Sequence, residues 1–516
     1  MKLEKTHNPA TNEALLAAVL NDPLPLADIT METRRLFEGI KQLPKEQPKS
    51  RRKTASEWMW SIFSKPYSIY DDHQYREFIE NRQVVPDWKP GLDRQYEKLE
   101  KAAGRIVNVK DFGAIGDGLM DCTTAFERAI GTGNVTVFIP PGVYVVKGIR
   151  LPSWTRLAGA GKGVSVLKLH DQAAKRQRLV TNLDHAKGNH HISVENLSLD
   201  WNVERLGKVR KTATGGTYSS CLTYANVTFG WVKKVEAANP GLHCFDITSP
   251  YYNYGGDGRR ARSGSRYVWL DETTGHGFGD DGITTHHSDY IFISNSFFCD
   301  PSGRSHKRGF SNSNGIEIDD GSRFVWLVNN STARCFGGVE IKAHAESSAA
   351  TGVFISGHLS VNDNRSYNFR HIGHHRAGDP QSVSAYNILA QRLVSIAPVF
   401  TELYRQSTPR ALVVSAYRNV VVNRFLFVGD KQYDYRDNPA AAVQFKARRV
   451  VLANGAVTGF KTASSDISIA GGRQGAADVQ VRNIHSIQSA EKVVAVGKGN
   501  RRTVVEAVRQ ERSSRG

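Results

Sequence analysis

From about residue 105 to about residue 490, apolar residues fall in short alternating runs and not in helical stripes. VTVFIP (135–140), HISVENLSLDW (191–201), SDYIFISNSFF (288–298), TGVFISGHLSV (351–361) and RNVVVNRFLFV (418–428) are of this kind. Such runs recur about every 20 to 40 residues with no helix-length segment between them, which excludes an alternating α/β fold. A sandwich would not need so many similar runs. Each reads instead as a rung: a strand, a tight turn, a second strand and a variable loop, as in SRFVWLVNNSTARCFGGVEI (322–341). One rung cannot bury its apolar face alone, and stacking the rungs makes a continuous core. Asn295 and the Asn329-Asn330 pair sit where left-handed corners and stacked side-chain ladders are expected.

Residues 1–104 have a different texture. ATNEALLAAVL (10–20), ADITMETRRLFEGIKQL (27–43) and LDRQYEKLEKAAG (92–104) carry helical spacing, with Asp28 and Thr30 as capping signals. Between them lie a basic hinge, KEQPKSRRKT (45–54), and an aromatic patch containing Trp58, Trp60, Phe63, Tyr67 and Tyr70. That patch is expected to pack on the following domain, with docking to a partner as the alternative. The chain thus divides into a mainly helical module (1–104), a repeat domain (105–490) and a basic tail (491–516).

The formal charge of +18 points to a polyanionic partner, either nucleic acid or an acidic polysaccharide or teichoic acid. Residues 1–104 carry 17 basic and 16 acidic side chains, so nearly all the excess lies beyond them. No apolar run is long enough for a membrane span. Glu4 and Glu13 precede the short run Ala14 to Leu20, a poor secretory signal, so delivery by another route is expected. The five cysteines show no CxxC spacing and read as small buried apolar residues, not as a disulfide framework or zinc site.

Residues 106–130, IVNVKDFGAIGDGLMDCTTAFERAI, and 135–161, VTVFIPPGVYVVKGIRLPSWTRLAGAG, resemble the opening module of pectate-lyase-like β-helix proteins. That group includes polygalacturonases, mannuronan epimerases and many phage tailspikes. The resemblance implies an all-β, right-handed parallel β-helix, with the Gly-rich turn at its start and CTTAFERAI as a short helix capping the solenoid. It leaves the reaction open, because one fold serves hydrolases, lyases, epimerases and inactive scaffolds.

Residues that could do chemistry concentrate in the middle rungs. Asp246, Asp280, Asp281, Glu317 and Asp319 are candidate catalytic carboxylates; His286, His287, Lys342, His344 and Arg370 are candidate ligands of an anionic sugar. Ten of the 17 histidines lie between Leu242 and Asp379. Strand alternation predicts that only one of Asp280 and Asp281 can point outward on a given face. Outward carboxylates one or two rungs apart would stand roughly 5 or 10 Å from each other, which brackets the separations used in glycoside hydrolysis. The insertion SPYYNYGGDGRRARSGSRY (249–267) adds Tyr252 and Tyr254 for stacking on sugars, with Arg259, Arg260 and Arg262 for anionic groups. The HIGHHRAGD run matches no standard metal site, and neither metal nor cofactor is expected.

The order FDI (245–247), GDDGI (279–283) and VEIK (339–342) is similar to the polygalacturonase motif order NTDGFDI, paired Asp, GHG and RIK. The resemblance matches Asp246 to the second aspartate of the first motif, Asp280 and Asp281 to the pair, and Lys342 to the lysine. His243 stands in place of the first aspartate, the GHG at 275–277 precedes the pair, and Glu340 replaces the arginine. Phe245-Asp246 also matches the core of the epimerase motif YGFDPHE, with Thr248 at its histidine. The expected function is a tailspike-like or virion-associated depolymerase for an acidic surface glycan, a glycoside hydrolase before a lyase. A cellular polygalacturonase-like hydrolase or uronate lyase or epimerase, and a non-catalytic glycan-binding spike, are the alternatives. Tailspike resemblance further implies a homotrimer, synthesis in the host cytoplasm, and attachment to a virion tail or baseplate through residues 1–104. Nucleic acid is disfavoured as the ligand, and an extracellular site of action is the alternative.

Overall fold

A computed structural model describes residues 1–43, 76–102, 104–252, 263–345, 347–375 and 385–512. The aromatic patch around Trp58, and Tyr254, Arg259, Arg260, Arg262 and Arg376, lie outside the described residues, as do the side chains of His374 and His375.

Alternation within each rung builds a right-handed parallel β-helix. One face is a parallel sheet of twelve strands in chain order: β1 (Ile149–Leu151), β2 (Val180–Asn182), β3 (Leu222–Ala225), β4 (Phe245–Thr248), β5 (Ile283–Thr285), β6 (Asn314–Ile318), β7 (Gly337–Ala343), β8 (Arg365–His371), β9 (Arg410–Ser415), β10 (Ala441–Gln444), β11 (Ile467–Ile469) and β12 (Val494–Val496). Register aligns an inward column, Phe245, Ile283, Ile316, Val339, Tyr367 and Leu412, all fully buried. Each such apolar side chain contributes roughly 1.5–3 kcal/mol through burial. One residue along, the outward column runs Arg150, Thr181, Thr223, Asp246, Thr284, Glu317, Glu340 and Asn368. The solenoid therefore lines up polar chemistry along one face as surely as it lines up the core.

The other faces are made by long strands that bend in the middle. In Asn189–Asp200, Val227–Ala238, Arg323–Ala333, Arg418–Val428, Arg448–Thr458 and Ala477–Ile487, pairing skips one central residue. That residue is left-handed: Asn196 (φ 53°), Lys234 (54°), Asn329 (52°), Arg424 (58°), Asn454 (53°) and Asn483 (50°). Asparagine tolerates this conformation and also bonds along the stack. Asn454 Nδ2 donates to Asn423 Oδ1 at 2.9 Å, and Asn483 Nδ2 to Asn454 Oδ1 at 2.8 Å. Asn295 (φ 47°) is a corner of the same kind, as its position in the sequence led us to expect.

A second left-handed column was not foreseen. Trp154, His191, Phe229, Tyr267, Tyr290 and Phe324 all have φ between 53° and 62°. Their rings stack rung upon rung, with successive centroids 3.9, 5.1, 5.5, 4.7 and 5.1 Å apart.

The N-terminal module lies along the outside of the helix. Helices α1 (Asn12–Leu20), α2 (Leu26–Lys41) and α3 (Lys89–Ala102) form where helical spacing predicts them. The start of α2 differs from expectation: Pro25 is its N-cap, and Thr30 lies within the helix, returning its hydroxyl to Leu26 O at 2.8 Å. Phe37 and Ile40 join Phe292, Trp326 and Phe354 in an apolar seam, while Arg424 pairs with Asp22 and Glu32. Helix α4 (Thr123–Ile130) buries Phe126 against Tyr144 at the first rungs, as the capping helix should. β12 and Val504–Glu511, inside the stretch assigned to a basic tail, pair with the preceding rungs. All five cysteines are buried and free. Among the described residues no helix is long and apolar enough to cross a membrane.

Candidate functional site

Outward positions of β6, β7 and β8, together with the connections leading into β5 and β6, enclose a trench of about 310 Å³. Side chains facing it include His243, Tyr252, Asp280, Asp281, His286, His306, Glu317, Asp319, Lys342, His344, Arg370 and Tyr404. Lys342 is the hub. Its Nζ lies 2.6 Å from Glu317 Oε2 and 3.7 Å from Asp319 Oδ2, and only 6% of its side chain is exposed. A lysine stem set among apolar rungs can be buried this far only with carboxylates at its head.

Asp280 and Asp281 both reach the trench, contrary to the alternation argument. They stand just before β5, in an irregular connection where side-chain alternation does not hold. Gly279 and Gly282 flank them in close contact with backbone: a Cβ on Gly279 would come 2.3 Å from Gly241 O, and one on Gly282 2.4 Å from Gly315 O. Asp280 Oδ2 lies 2.9 Å from His306 Nε2 and 3.7 Å from His243 Nε2. Asp281 Oδ1 accepts from the Asn314 backbone and side chain at 2.9 and 3.0 Å, while its Oδ2 lies 3.5 Å from His243 Nε2. Among the described residues, Asp280 Oδ1 and Asp319 Oδ2 receive no hydrogen bond although both carboxyls are buried.

These surroundings push neighbouring carboxyls apart. Burial raises Asp281 well above the usual carboxylate range, and the charges of Glu317 and Asp280 add to it. Burial alone would raise Asp280 too, but His306 and His243 override it and hold that carboxylate ionised. Asp319 is likewise held low, its burial outweighed by Lys342, His286 and His344. Glu317 is raised by burial, with Asp319 and Glu340 opposing the pull of Lys342. Burial would discharge Lys342, yet Glu317, Asp319 and Glu340 keep the ammonium protonated. A protonated carboxylic acid beside ionised carboxylates is the division of labour that acid–base cleavage requires.

Not every predicted site residue stands in the trench. Asp246 is fully buried behind His243, bonded to it at 2.5 Å and to Thr223 Oγ1 at 3.3 Å. His286 stacks on Tyr252 with centroids 3.6 Å apart. His287 sits at a left-handed corner (φ 48°) with its ring against Gly321, behind the wall. His344 bonds Asp320 at 3.0 Å, and Arg370 is ion-paired to Glu340, which stands where the polygalacturonase motif has arginine. His276, of the Gly275–Gly277 motif, pairs with Glu236 away from the trench. His306 holds Asp280 in its stead. His306 and Tyr404 come from loops whose path spacing does not reveal, and Asn314, the first residue of β6, carried no signal of its own; the crowding of histidines was the one signal that reached His243 and His306.

Three groups bring ligand-type atoms within 4.8 Å: His243, Asp280 and Asp281; His286, Glu317 and Asp319; Asp319, Asp320 and His344. In the second group the Lys342 ammonium already stands where a divalent cation would bind, and in the first the His243 ring lies between carboxylates. These carboxylates thus carry built-in counter-cations.

Residues 106–340 match the family model described as rhamnogalacturonase A/epimerase, pectate lyase-like. The phage-related protein YobO of Bacillus subtilis strain 168 is 47% identical over 80% of this chain and 51% of its own length. The pre-neck appendage protein of Bacillus phage phi29 is 43% identical over 82% of this chain and 51% of its own. The chain thus spans about half the length of the curated relatives it matches. The crystal structure of the phi29 gene product 12 N-terminal fragment superposes with a TM-score of 0.73 at 39% identity, covering 82% of this chain and 69% of the fragment. The A-module of the Azotobacter vinelandii mannuronan C-5 epimerase AlgE6, at 14% identity and a TM-score of 0.52, shares the fold.

Proposed function

The chain belongs to the pectate-lyase-like right-handed parallel β-helix superfamily, and on that footing we propose that it is a virion-associated depolymerase that cleaves an acidic surface glycan. Its relatives are phage appendage proteins, which supports a place on a virion and action at the bacterial surface. The observation that carries the catalytic reading is the pairing of Asp281, kept protonated, with Asp280 and Asp319, kept ionised, around the buried Lys342. In this reading Asp281 donates its proton to the leaving oxygen of the linkage. Asp280 or Asp319 draws a proton from the attacking water, whose oxygen then bonds to the centre the leaving oxygen has left. Lys342, His344 and Arg370 orient the anionic groups, and Tyr252, stacked on His286, offers an aromatic face at the rim. Attachment through residues 1–104 and assembly as a homotrimer belong to the same proposal.

The test is direct. Purified protein is incubated with capsular polysaccharide and with teichoic acid from Bacillus cell walls, and the products are sized and assayed for new end groups. Shortened chains with new reducing or phosphate ends support a hydrolase; an unsaturated, ultraviolet-absorbing product would assign a lyase instead. Binding without shortening would leave the chain a non-catalytic spike and overturn the reading.

A further inference from the structure

The trench poses an electrostatic problem for a polyanionic substrate. The cations of the trench are already engaged, Lys342 by Glu317 and Asp319, His344 by Asp320 and Arg370 by Glu340, so the catalytic region itself offers little net attraction to an anionic chain. We propose that the chain is gripped elsewhere on the same face, in a groove of about 530 Å³ lined by Arg150, Arg176, Arg178 and Tyr218, which acts as a separate anion-binding subsite.

Register places it in line with the trench. Arg150 belongs to the outward column that continues through Thr181 and Thr223 to Asp246. The column reaches the trench at Glu317, five steps from Arg150 and about 24 Å away at the usual strand spacing. A chain laid along the helix axis would cover both. The groove is also pre-arranged. Arg178 donates from Nε to Thr217 O at 3.1 Å and from Nη2 to Thr217 Oγ1 at 3.0 Å. Arg176 and Arg178 both lie over the Tyr218 ring, with Cζ 4.1 and 4.0 Å from its centroid. Two guanidinium groups brought to one ring repel each other unless an anion joins them.

Within the groove Arg176 and Arg178 share only the Tyr218 hydroxyl, and Glu127, the carboxylate in its lining, pairs with neither. Among the described residues none of Arg150, Arg176 and Arg178 forms an ion pair, whereas the nearby Lys147 is neutralised by Asp121 at 2.9 Å. His185 feels the surplus: burial, then Arg178 and Arg150, push it down to about 4. Guanidinium pairs of this kind fit carboxylate or phosphate oxygens bidentately. The ligand class is therefore a polyanionic glycan, an identity that rests on the depolymerase reading; the anion site itself does not.

The experiment compares the whole protein with the variant R150E/R176E, which changes two exposed side chains remote from the trench. The probe is anionic polymer released from Bacillus cell walls and fractionated by length. Chains long enough to reach both sites should bind the variant about tenfold more weakly and be cleaved with higher KM and unchanged kcat, while the shortest fragments behave as with the parent. D281N should retain long-chain binding, so a parent protein that binds but never cleaves overturns the depolymerase reading and leaves the subsite standing. If charge reversal disturbs folding, R150Q/R176Q asks the same question more gently. Equal long-chain affinity in parent and variant overturns the subsite, and tighter capture of single-stranded DNA than of the glycan overturns its ligand.

Discussion

Asp246 Oδ1 lies 2.5 Å from Nδ1 of His243, three residues earlier, and the far side of that imidazole faces Asp281 at 3.5 Å and Asp280 at 3.7 Å. Burial would discharge His243, but Asp246 and the ionised Asp280 keep it protonated. Asp246 is thus a positioning residue, acting on the paired carboxyls through the ring. Replacing it as D246N keeps the shape and removes the charge. Cleavage should fall, by about 10- to 100-fold if His243 loses its proton, and the pH profile should change because His243 then titrates in a lower range. An unchanged pH profile would show that Asp246 does no more than fill space.

The two trench aspartates should separate cleanly. D281N and D280N are each expected to lose about 10²- to 10⁴-fold in kcat, the usual contribution of a general acid or base. Their pH dependences have opposite sign. Asp280 and Asp319 are ionised and active at neutral pH and fail as pH falls through their lowered values. Asp281 is active while protonated and fails as pH rises through its raised value. The parent should therefore keep its activity far into the acid range and lose it on the alkaline side, a loss that D281N abolishes. Stability follows the same logic. Asp281 favours the fold below the ordinary carboxylate range and ceases to as pH climbs through its raised value, whereas the contribution of Asp280 is present above that range and lost on acidification.

Removing the hub should cost stability as well as activity. K342M leaves Glu317 and Asp319 buried without their counter-cation, a change worth roughly 3–5 kcal/mol. Pairing it with E317Q removes one of the orphaned charges, so K342M/E317Q should melt higher than K342M alone. Thermal melts of the two proteins at neutral pH check this: a double variant no more stable than the single one would mean that Lys342 supports the rungs by packing and not by charge.

The sequence exposed the parts of this fold that repeat and hid those that do not. Alternating apolar runs reveal rungs because every rung buries the same inward positions, and Asn329 betrays a corner because its amide suits left-handed backbone. The same alternation misled at Asp280 and Asp281, which lie off the strands, whereas the displaced GHG motif agrees with His276 pairing away from the trench. Lys342 was legible through the similarity of VEIK to the lysine motif, while its pairing with Glu317, one rung away, came only from register. His306 was not, since only the loop's path brings it 2.9 Å from Asp280.

The aromatic ladder makes the last prediction, and it runs against habit. Tyr290 holds φ 58° while its ring lies 4.7 Å from Tyr267 and 5.1 Å from Phe324. Left-handed backbone costs a residue with a Cβ roughly 1–2 kcal/mol, and glycine almost nothing. Stacking in this column returns about 0.5–1.5 kcal/mol per pair, so ring and backbone are balanced against each other. Y290A loses both stacking partners and keeps the strain; Y290G loses the same partners and is released from it. Glycine should therefore destabilise less than alanine here, although within a strand it is ordinarily the worse residue. Comparing melting temperatures of Y290A and Y290G decides it. Should alanine prove the more stable, the left-handed geometry would be imposed by the ladder's rings and not by the rung beneath them.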